Sequence, residues 1–395
     1  MSLRRSRAVA VALITCATFT DLVAYSIAIP VLPDLSRKLG ASPTMIGFLF
    51  ASFGVTLLTI SVPMGAVSDR IGRKGPLVGG LAALAAASLL FAFADSLPWL
   101  FAARLVQGAA DAVTWVVGFA LIADLYPSSE RGRVTGIVMM GTSLAIMVGP
   151  TIGGWLYELG GMRTPFVAVA ALAAIVLVLL LWYQVPPQHA EGDIVPFGLI
   201  LRVPAIAACA IVVVAISGTV SMLEPVLSLH LGTLGINPAR IGMVYGIAAV
   251  ITTTMHPVIG RLADRFGSRQ MTMLGLVLAA GTLPLLGFAW SYGSALALFI
   301  LTAAASTFII TPSLTYMGEA TSNAGVRSFG VAYGLYNLAW GAGLLGGPAL
   351  GGFLFERIGF RSILFTWAPA LALVTTLLWR VKSERPQTTA VTARS

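Results

Sequence analysis

RLVQGAADAVTWVVGFALIADLYPSSERGRVTGIVMMGTSLAIMVGPTIGG, residues Arg104–Gly154, reads as an apolar segment that carries an arginine and an aspartate, a short polar turn, and a second apolar segment ending in a glycine-proline cluster. Each segment is long enough to cross a bilayer as a helix, which takes about 20 residues. Around Arg104 and Asp111 nearly every neighbour is apolar, small or aromatic. Ionisable groups at such depth are costly and mark a solute or proton pathway by default.

The composition extends that reading to the whole chain. Of 395 residues, 57% are hydrophobic and only 10% are charged, and the mean hydropathy is +0.92. About twelve spans with short loops account for the length, which leaves no room for a soluble catalytic or sensory domain. The net charge of +9 is spread over loop ends rather than gathered on one aromatic-interleaved face, which argues against nucleic acid. Cys16 and Cys209 both lie in apolar runs, so neither a disulfide framework nor a metal cluster is expected. The terminus MSLRRSR leads into an apolar run that passes Asp21 and reaches Pro33 without a small-residue cleavage site, so it is read as a first, uncleaved span.

The apolar runs predict spans over 8–33, 44–65, 76–95, 98–122, 133–157, 163–184, 204–230, 239–260, 271–290, 294–317, 328–353 and 361–381. An even number of spans puts both termini on one side. Arg4, Arg5, Arg7, Arg70, Arg73, Lys74, Arg131, Arg133, Arg202, Arg261, Arg265, Arg269, Arg327, Arg380, Lys382, Arg385 and Arg394 fall on that side, against Arg37, Lys38, Arg163, Arg240, Arg357 and Arg361 opposite. The positive-inside rule therefore makes the termini cytoplasmic. The proline-rich, polar stretch 185–203 is the expected linker between two six-span halves, 1–184 and 204–381, with 382–395 as a cytoplasmic tail.

The halves repeat each other. GAVSDRIGRK at Gly65–Lys74 recurs as GRLADRFGSR at Gly260–Arg269, and VGPTIGG at Val148–Gly154 recurs as GGPALGG at Gly346–Gly352. Parallel repeats of this kind build transporters from two bundles related by an axis along the membrane normal. The expected fold is all-α and integral to the membrane, with twelve helices in two pseudo-symmetric bundles.

Three acids lie deep in predicted spans: Asp21, Asp111 and Glu224. A carboxyl group at that depth can hold a proton that an incoming cation displaces, so that proton and solute compete for one site. The competing reading is an interhelical hydrogen bond that merely holds spans together. Arg104 stands seven residues before Asp111, about two turns along one helix face, unless it snorkels to the interface. Tyr25 and Trp115 each follow a deep acid by four residues, and Tyr333, Tyr336 and Trp340 surround Asn337. These aromatics are candidates to receive the apolar part of a solute. His256, beside Pro257, reads as a hydrogen-bonded packing residue rather than a proton relay.

With these residues in view, the chain resembles the major facilitator superfamily. The loop with Gly65, Asp69, Arg70, Gly72, Arg73 and Lys74 is similar to that superfamily's signature loop, and its repeat carries Asp264 and Arg265 but Ser268 where a basic residue is usual. Gly149, Pro150, Gly153 and Gly154 are similar to the motif of its proton-coupled antiporters. Asp21–Pro33 (DLVAYSIAIPVLP), Arg104-Leu-Val-Gln107-Gly108, Glu130-Arg131-Gly132 and Ser221–Pro225 resemble the twelve-span drug:proton antiporters, and within them the vesicular monoamine transporters and bacterial multidrug and tetracycline efflux proteins. The resemblance implies amine and proton binding at Asp21 and Glu224, a proton-linked switch at Arg104, and a latch in which Asp69 meets the start of a helix of the other half.

Three departures point away from a monoamine and leave a cationic or amphipathic compound. Phe53 and Asn337 stand where those relatives carry a lysine and an aspartate, which fits the joint loss of a buried charge pair. Thr307 stands where they have an acid, and Asp111 has no acidic counterpart in them.

The expected function is therefore a proton-coupled antiporter of the plasma membrane that exports lipophilic, cationic drugs or amines by alternating access. It would act as a monomer, with the proton gradient as energy source and no cofactor. A facilitator or proton symporter of a small neutral metabolite is the alternative. An enzyme would need a nucleophile with a base, or a metal cluster, and the sequence carries neither pattern.

Overall fold

A backbone inside a bilayer must satisfy its own hydrogen bonds, and this chain does so as helix throughout. The computed structural model describes residues 6–184, 203–324 and 329–381, without the side chains of 128–129 and 329–333. The linker and the tail beyond 381 thus lie almost wholly outside the described residues.

The helices of the first half are α1 (Arg7–Lys38), α2 (Pro43–Ile71), α3 (Lys74–Phe93), α4 (Leu97–Leu125), α5 (Ser128–Gly160) and α6 (Arg163–Trp182). Those of the second are α7 (Pro204–Thr233), α8 (Pro238–Phe266), α9 (Ser268–Leu286), α10 (Tyr292–Asn323) and a long segment, Phe329–Arg380. That segment breaks at Gly359, φ 75° and ψ 171°, into α11 (329–358) and α12 (360–380). By length and composition, eleven described helices can cross a membrane, the broken one counted once. Their outer faces are apolar, with Met140, Ile71, Trp290 and Trp379 among the most exposed side chains. Such a surface suits lipid rather than water.

The repeat reaches the backbone. Gly72 (φ 86°) ends α2 and Gly267 (φ 94°) ends α8, where the left-handed turn excludes a side chain at little cost only for glycine. Pro43 and Pro238 open α2 and α8 behind Ser42 and Asn237, whose side chains accept from the amides of Met45 and Arg240.

Each half has its own apolar core. The two cores interlock at the centre: Ile29 of α1 belongs to the second core and Leu229 of α7 to the first. This exchange places α1 and α7 against each other along the seam where the candidate site lies.

The halves meet closely on only one face, the one bearing the α1–α2 and α7–α8 turns. A Cβ on Gly47 of α2 would strike the Pro348 carbonyl and come 2.9 Å from Gly352 Cα of α11. One on Gly154 of α5 would lie 2.8 Å from Ala239 Cα of α8, and one on Gly242 would strike the Pro150 carbonyl. Thr151 Oγ1 donates to the Gly242 carbonyl at 3.3 Å, and the Glu356 carboxylate of α11 accepts from Thr44 N of α2 at 2.9 Å. The latter satisfies a helix-start amide that has no partner within its own helix.

The same helices diverge toward the face of the termini. Side chains added at Gly132 and Gly136 of α5 would meet nothing within 4 Å. At Gly65 and Gly260 they would meet only Val116 and Thr311 of their own halves. Among the described residues, the halves close on the turn face and stand apart on the terminal face.

Candidate functional site

Asp21 and Tyr25, one turn apart on α1, project into the seam between the halves. Asp21 is 1% exposed, and neither of its oxygens accepts a hydrogen bond. Asp111 and Trp115 of α4 face it. The two carboxyl groups interact with each other, Trp115 Nε1 is directed at both, and a proton placed between the carboxyl groups would bond one to the other.

Tyr25 reaches across the seam and donates to Glu224 Oε2 of α7 at 2.6 Å. Glu224 precedes Pro225, which lacks a helical amide inside α7. Tyr245 of α8 braces that stretch, its hydroxyl lying 3.0 Å from each of the Leu223 and Glu224 carbonyls. The acid is thus held from two other helices, α1 by side chain and α8 through the backbone. Replacing Tyr25 by phenylalanine is expected to lower stability by about 1–3 kcal/mol, the usual cost of a buried acceptor left without its donor. Thermal unfolding of the purified protein checks this, and an unchanged Tm would show that the bond does not tie the halves.

Arg104 of α4 is fully buried and does not snorkel. Nη1 donates to Gln107 Oε1 at 2.6 Å, while Nε and Nη2 have no partner. Its guanidinium sits among three rings: Phe50 at 4.8 Å, Tyr25 at 5.1 Å and Phe53 at 5.3 Å. The Tyr25 and Phe53 rings also contact each other, 5.0 Å apart. Gly108 brings this about, because any Cβ there would strike the Phe53 carbonyl and hold α4 away from α2. Cation–π contact offsets part of the cost of burying the charge. Asp111 and Glu224 act on Arg104 through space, without an ion pair among the described residues.

The second aromatic group is placed elsewhere. Tyr336 is buried, stacks on Trp340 at 6.1 Å and lies 3.4 Å from the Ile310 carbonyl of α10. Asn337 is exposed and lies one turn before Gly341, where an added Cβ would meet Leu57 and Leu58 of α2, so it shares the α11 face that looks toward the other half; the Tyr333 side chain lies outside the described residues. Two residues not anticipated as site members, Phe50 and Phe53, complete the cage around Arg104. Phe50 carries no signal beyond core packing, while Phe53 is marked only as standing where the resembling transporters carry a lysine. His256 pairs with Thr311 Oγ1 at 2.6 Å, as a packing residue does.

The signature loops form a second constellation. Arg73 bonds Asp69 and, through Nε, Asp124 Oδ2 of α4 at 2.8 Å, and its Nη1 donates to Ser68 at 2.7 Å. Burial opposes its charge, but the Asp124 and Asp69 carboxylates outweigh it and hold the guanidinium above its ordinary value. Lys74 Nζ caps the Leu181 and Tyr183 carbonyls at 2.9 and 2.6 Å. Asp69, expected to reach the other half, is thus occupied within its own. Residues 325–328, just before α11 of the other half, lie outside the described ones. Gly65 and Arg70 are exposed or half-exposed on the same stretch, as are Asp264 and Arg265 in the repeat, where Arg265 lies over Phe266. The span 5 motif is structural in the sense of close approach: Gly149 abuts Ser26 and Gly153 abuts Ile27 of α1, while Pro150 and Gly154 meet α8 on the closed face. The missed acid here is Asp124, whose place near a span end hides it among interfacial charges.

The chain matches the sequence profile of the Major Facilitator Superfamily over residues 14–326 and 209–395. It is 26% identical to the human MFS-type transporter SLC18B1 over 371 residues, 89% of this chain and 80% of that protein. It is 27% identical to the human synaptic vesicular amine transporter over 334 residues, 83% of this chain and 65% of that protein. Among solved structures, a bacterial homolog of the human lysosomal transporter Spinster, inward-facing and occupied, superposes with TM-score 0.83 over 94% of this chain and 96% of that one at 16% identity. The nucleoside transporter NupG superposes with TM-score 0.76 at 13% identity, over 94% of this chain and all of the other. Likeness at such low identity concerns the fold.

Proposed function

This chain belongs to the major facilitator superfamily of multi-pass membrane transporters, which move solutes rather than transform them, and we propose that it is a proton-coupled antiporter exporting lipophilic cations, drugs or amines. One observation carries the reading: the seam buries three carboxyl groups, Asp21, Asp111 and Glu224, beside a single guanidinium, Arg104. Fully ionised, three negative charges against one positive would leave two uncompensated in the interior, a cost of several kcal/mol each. Protons or a cationic solute must supply the balance. Because both neutralise the same groups, occupancy by one favours departure of the other, which is the thermodynamic requirement for exchange.

Alternating access then follows from the two-layer seam. The turn face closes through glycine contacts while the terminal face stands open, and rocking of the halves about α1 and α7 would reverse this. With basic loops on the terminal side, that side would be cytoplasmic, and the seam would receive solute from the cytoplasm of a cell bounded by the plasma membrane. Similarity to the synaptic vesicular amine transporter supports an amine-like solute. The aromatic wall of Tyr25 and Trp115 would receive its apolar part.

The test is efflux of a fluorescent lipophilic cation from proteoliposomes with and without an imposed pH gradient. Accumulation of the cation against its own gradient, abolished by a protonophore, is the expected result. Movement that only ever runs downhill and ignores the pH gradient would refute coupling.

A further inference from the structure

The repeat is broken at one place, and the break has a chemical consequence. In the first half Arg73 follows Gly72, bonds Asp124 of α4 and sits above Ser68. In the second half Ser268 follows Gly267, and Glu319 of α10 takes the place of Asp124. Ser268, 1% exposed, donates to Glu319 Oε2 at 2.5 Å. A neutral hydroxyl thus stands where a guanidinium would.

The next residue cannot substitute for it. Arg269 does what Lys74 does in the first half: its Nη2 donates to the Leu378 and Val381 carbonyls, both at 2.7 Å, and to that of Trp379 at 3.2 Å. Among the described residues Glu319 has no ion pair. Beside it opens a cavity of about 110 Å³, lined by Ser268, Arg269, Gln270, Tyr316, Glu319 and Asn323 and walled by Val203 and Ala205 at the start of α7; Arg269 directs its Nη2 to the helix-end carbonyls rather than to Glu319, and its Nε has no partner. Since about 10–15 Å³ by this measure holds one water, the space accommodates a group of several heavy atoms.

We propose that this cavity binds a small organic cation with several N–H donors, a guanidinium or primary ammonium group, which bonds Glu319 as Arg73 bonds Asp124. The acceptors converge from α9 and α10, so several donors on one cation are engaged at once, whereas a fully methylated cation has none to offer. Occupancy ties the α8–α9 loop to α10 in the second half as Arg73 ties the α2–α3 loop to α4 in the first. The site lies at the terminal end of the helices, apart from the seam and its acids. Its ligand reaches it either from solution or from the bilayer as a lipid headgroup amine.

The experiment measures thermal unfolding of the full chain in phosphatidylcholine nanodiscs during titration with methylguanidinium, with tetramethylammonium as control. The expected result is a saturable rise in Tm of about 1–2 °C, in the millimolar range expected of an exposed ion pair. It is absent with tetramethylammonium and absent in Glu319→Gln. Ser268→Arg, which supplies the cation from within, removes the response and raises the Tm of the ligand-free protein. Should that variant not fold, Ser268→Ala, which keeps the carboxylate, still responds. Repeating the titration in phosphatidylethanolamine discs separates the sources: a response lost there assigns the site to the lipid amine, and one retained assigns it to a free cation. No response in phosphatidylcholine, or an equal one in Glu319→Gln, overturns the proposal.

Discussion

Asp21→Asn is expected to reduce proton-driven transport by about 5–150-fold, the range that a coupling free energy of 1–3 kcal/mol spans. Asparagine keeps the shape of the side chain but cannot titrate. Its amide can donate to Asp111, so a fixed hydrogen bond would replace the exchangeable proton between the two carboxyl groups. Because neither Asp21 oxygen has a partner at ordinary hydrogen-bond geometry and the asparagine carbonyl can still face Trp115, the substitution should cost little stability, and the protein should unfold near the wild-type temperature. Loss of transport with stability retained separates a role in coupling from a role in packing. The measurement is uptake of a lipophilic cation into proteoliposomes across an imposed pH gradient, together with Tm. Full gradient-driven transport in the variant would sink the coupling role of the pair, and Glu224→Gln would then show whether the load rests across the seam instead.

The second large effect concerns the closed face. Gly47→Val would drive its side chain into the Pro348 carbonyl and against Gly352 Cα, which are backbone atoms that cannot rotate away. Overpacking of this kind costs about 1–3 kcal/mol, and it acts only when the turn face is shut. Because the two states of a transporter differ by only a few kcal/mol, such a cost moves the population by about 5–150-fold toward the arrangement with that face open. The expected result is loss of turnover together with reaction of a cysteine placed at Thr151, on the α5–α8 seam, with an impermeant maleimide. Cys16 and Cys209 are removed beforehand, since Cys16 is exposed. Wild-type turnover with an unreactive Thr151→Cys would mean that close approach at Gly47 is not what shuts this face.

Much of this was legible in the chain because bilayer chemistry leaves few choices. A run of about 20 apolar residues can only be a span, since its backbone must be satisfied by its own hydrogen bonds. The twelve spans, the twofold repeat and the depth of Asp21, Asp111 and Glu224 follow from hydropathy and spacing, with helix ends running a turn or two beyond the apolar runs. Gly149–Gly154 and Gly346–Gly352 announced close contact, but not with whom. Side chains four apart on one helix, Asp21 with Tyr25 and Asp111 with Trp115, shared a face as the period of the helix requires.

What the one-dimensional pattern could not carry is which helix faces which. The Tyr25–Glu224 bond joins residues 199 positions apart, and the cage of Phe50 and Phe53 around Arg104 exists because Gly108 admits α4 to α2. Phenylalanines in a span look alike whether they meet lipid, core or a cation. Asn337, grouped with its aromatic neighbours by spacing, lies on the α11 face toward α2, while Tyr336 packs against α10, because rotation about the helix axis is set by packing rather than by composition. Asp69 was expected to meet the start of a helix of the other half; among the described residues it pairs with Arg73 of its own half.

The sequence alone thus determined the solvent, the span count, the repeat and the chemical types held at mid-depth, since each depends on residues near one another in the chain or on average hydropathy. The tertiary structure alone decided the partner of each buried charge, the face that is closed and the cavity left by Ser268. Those outcomes depend on contacts between helices whose interfaces, in lipid, are selected by fit of small residues and by polar satisfaction rather than by any periodic signal along the chain.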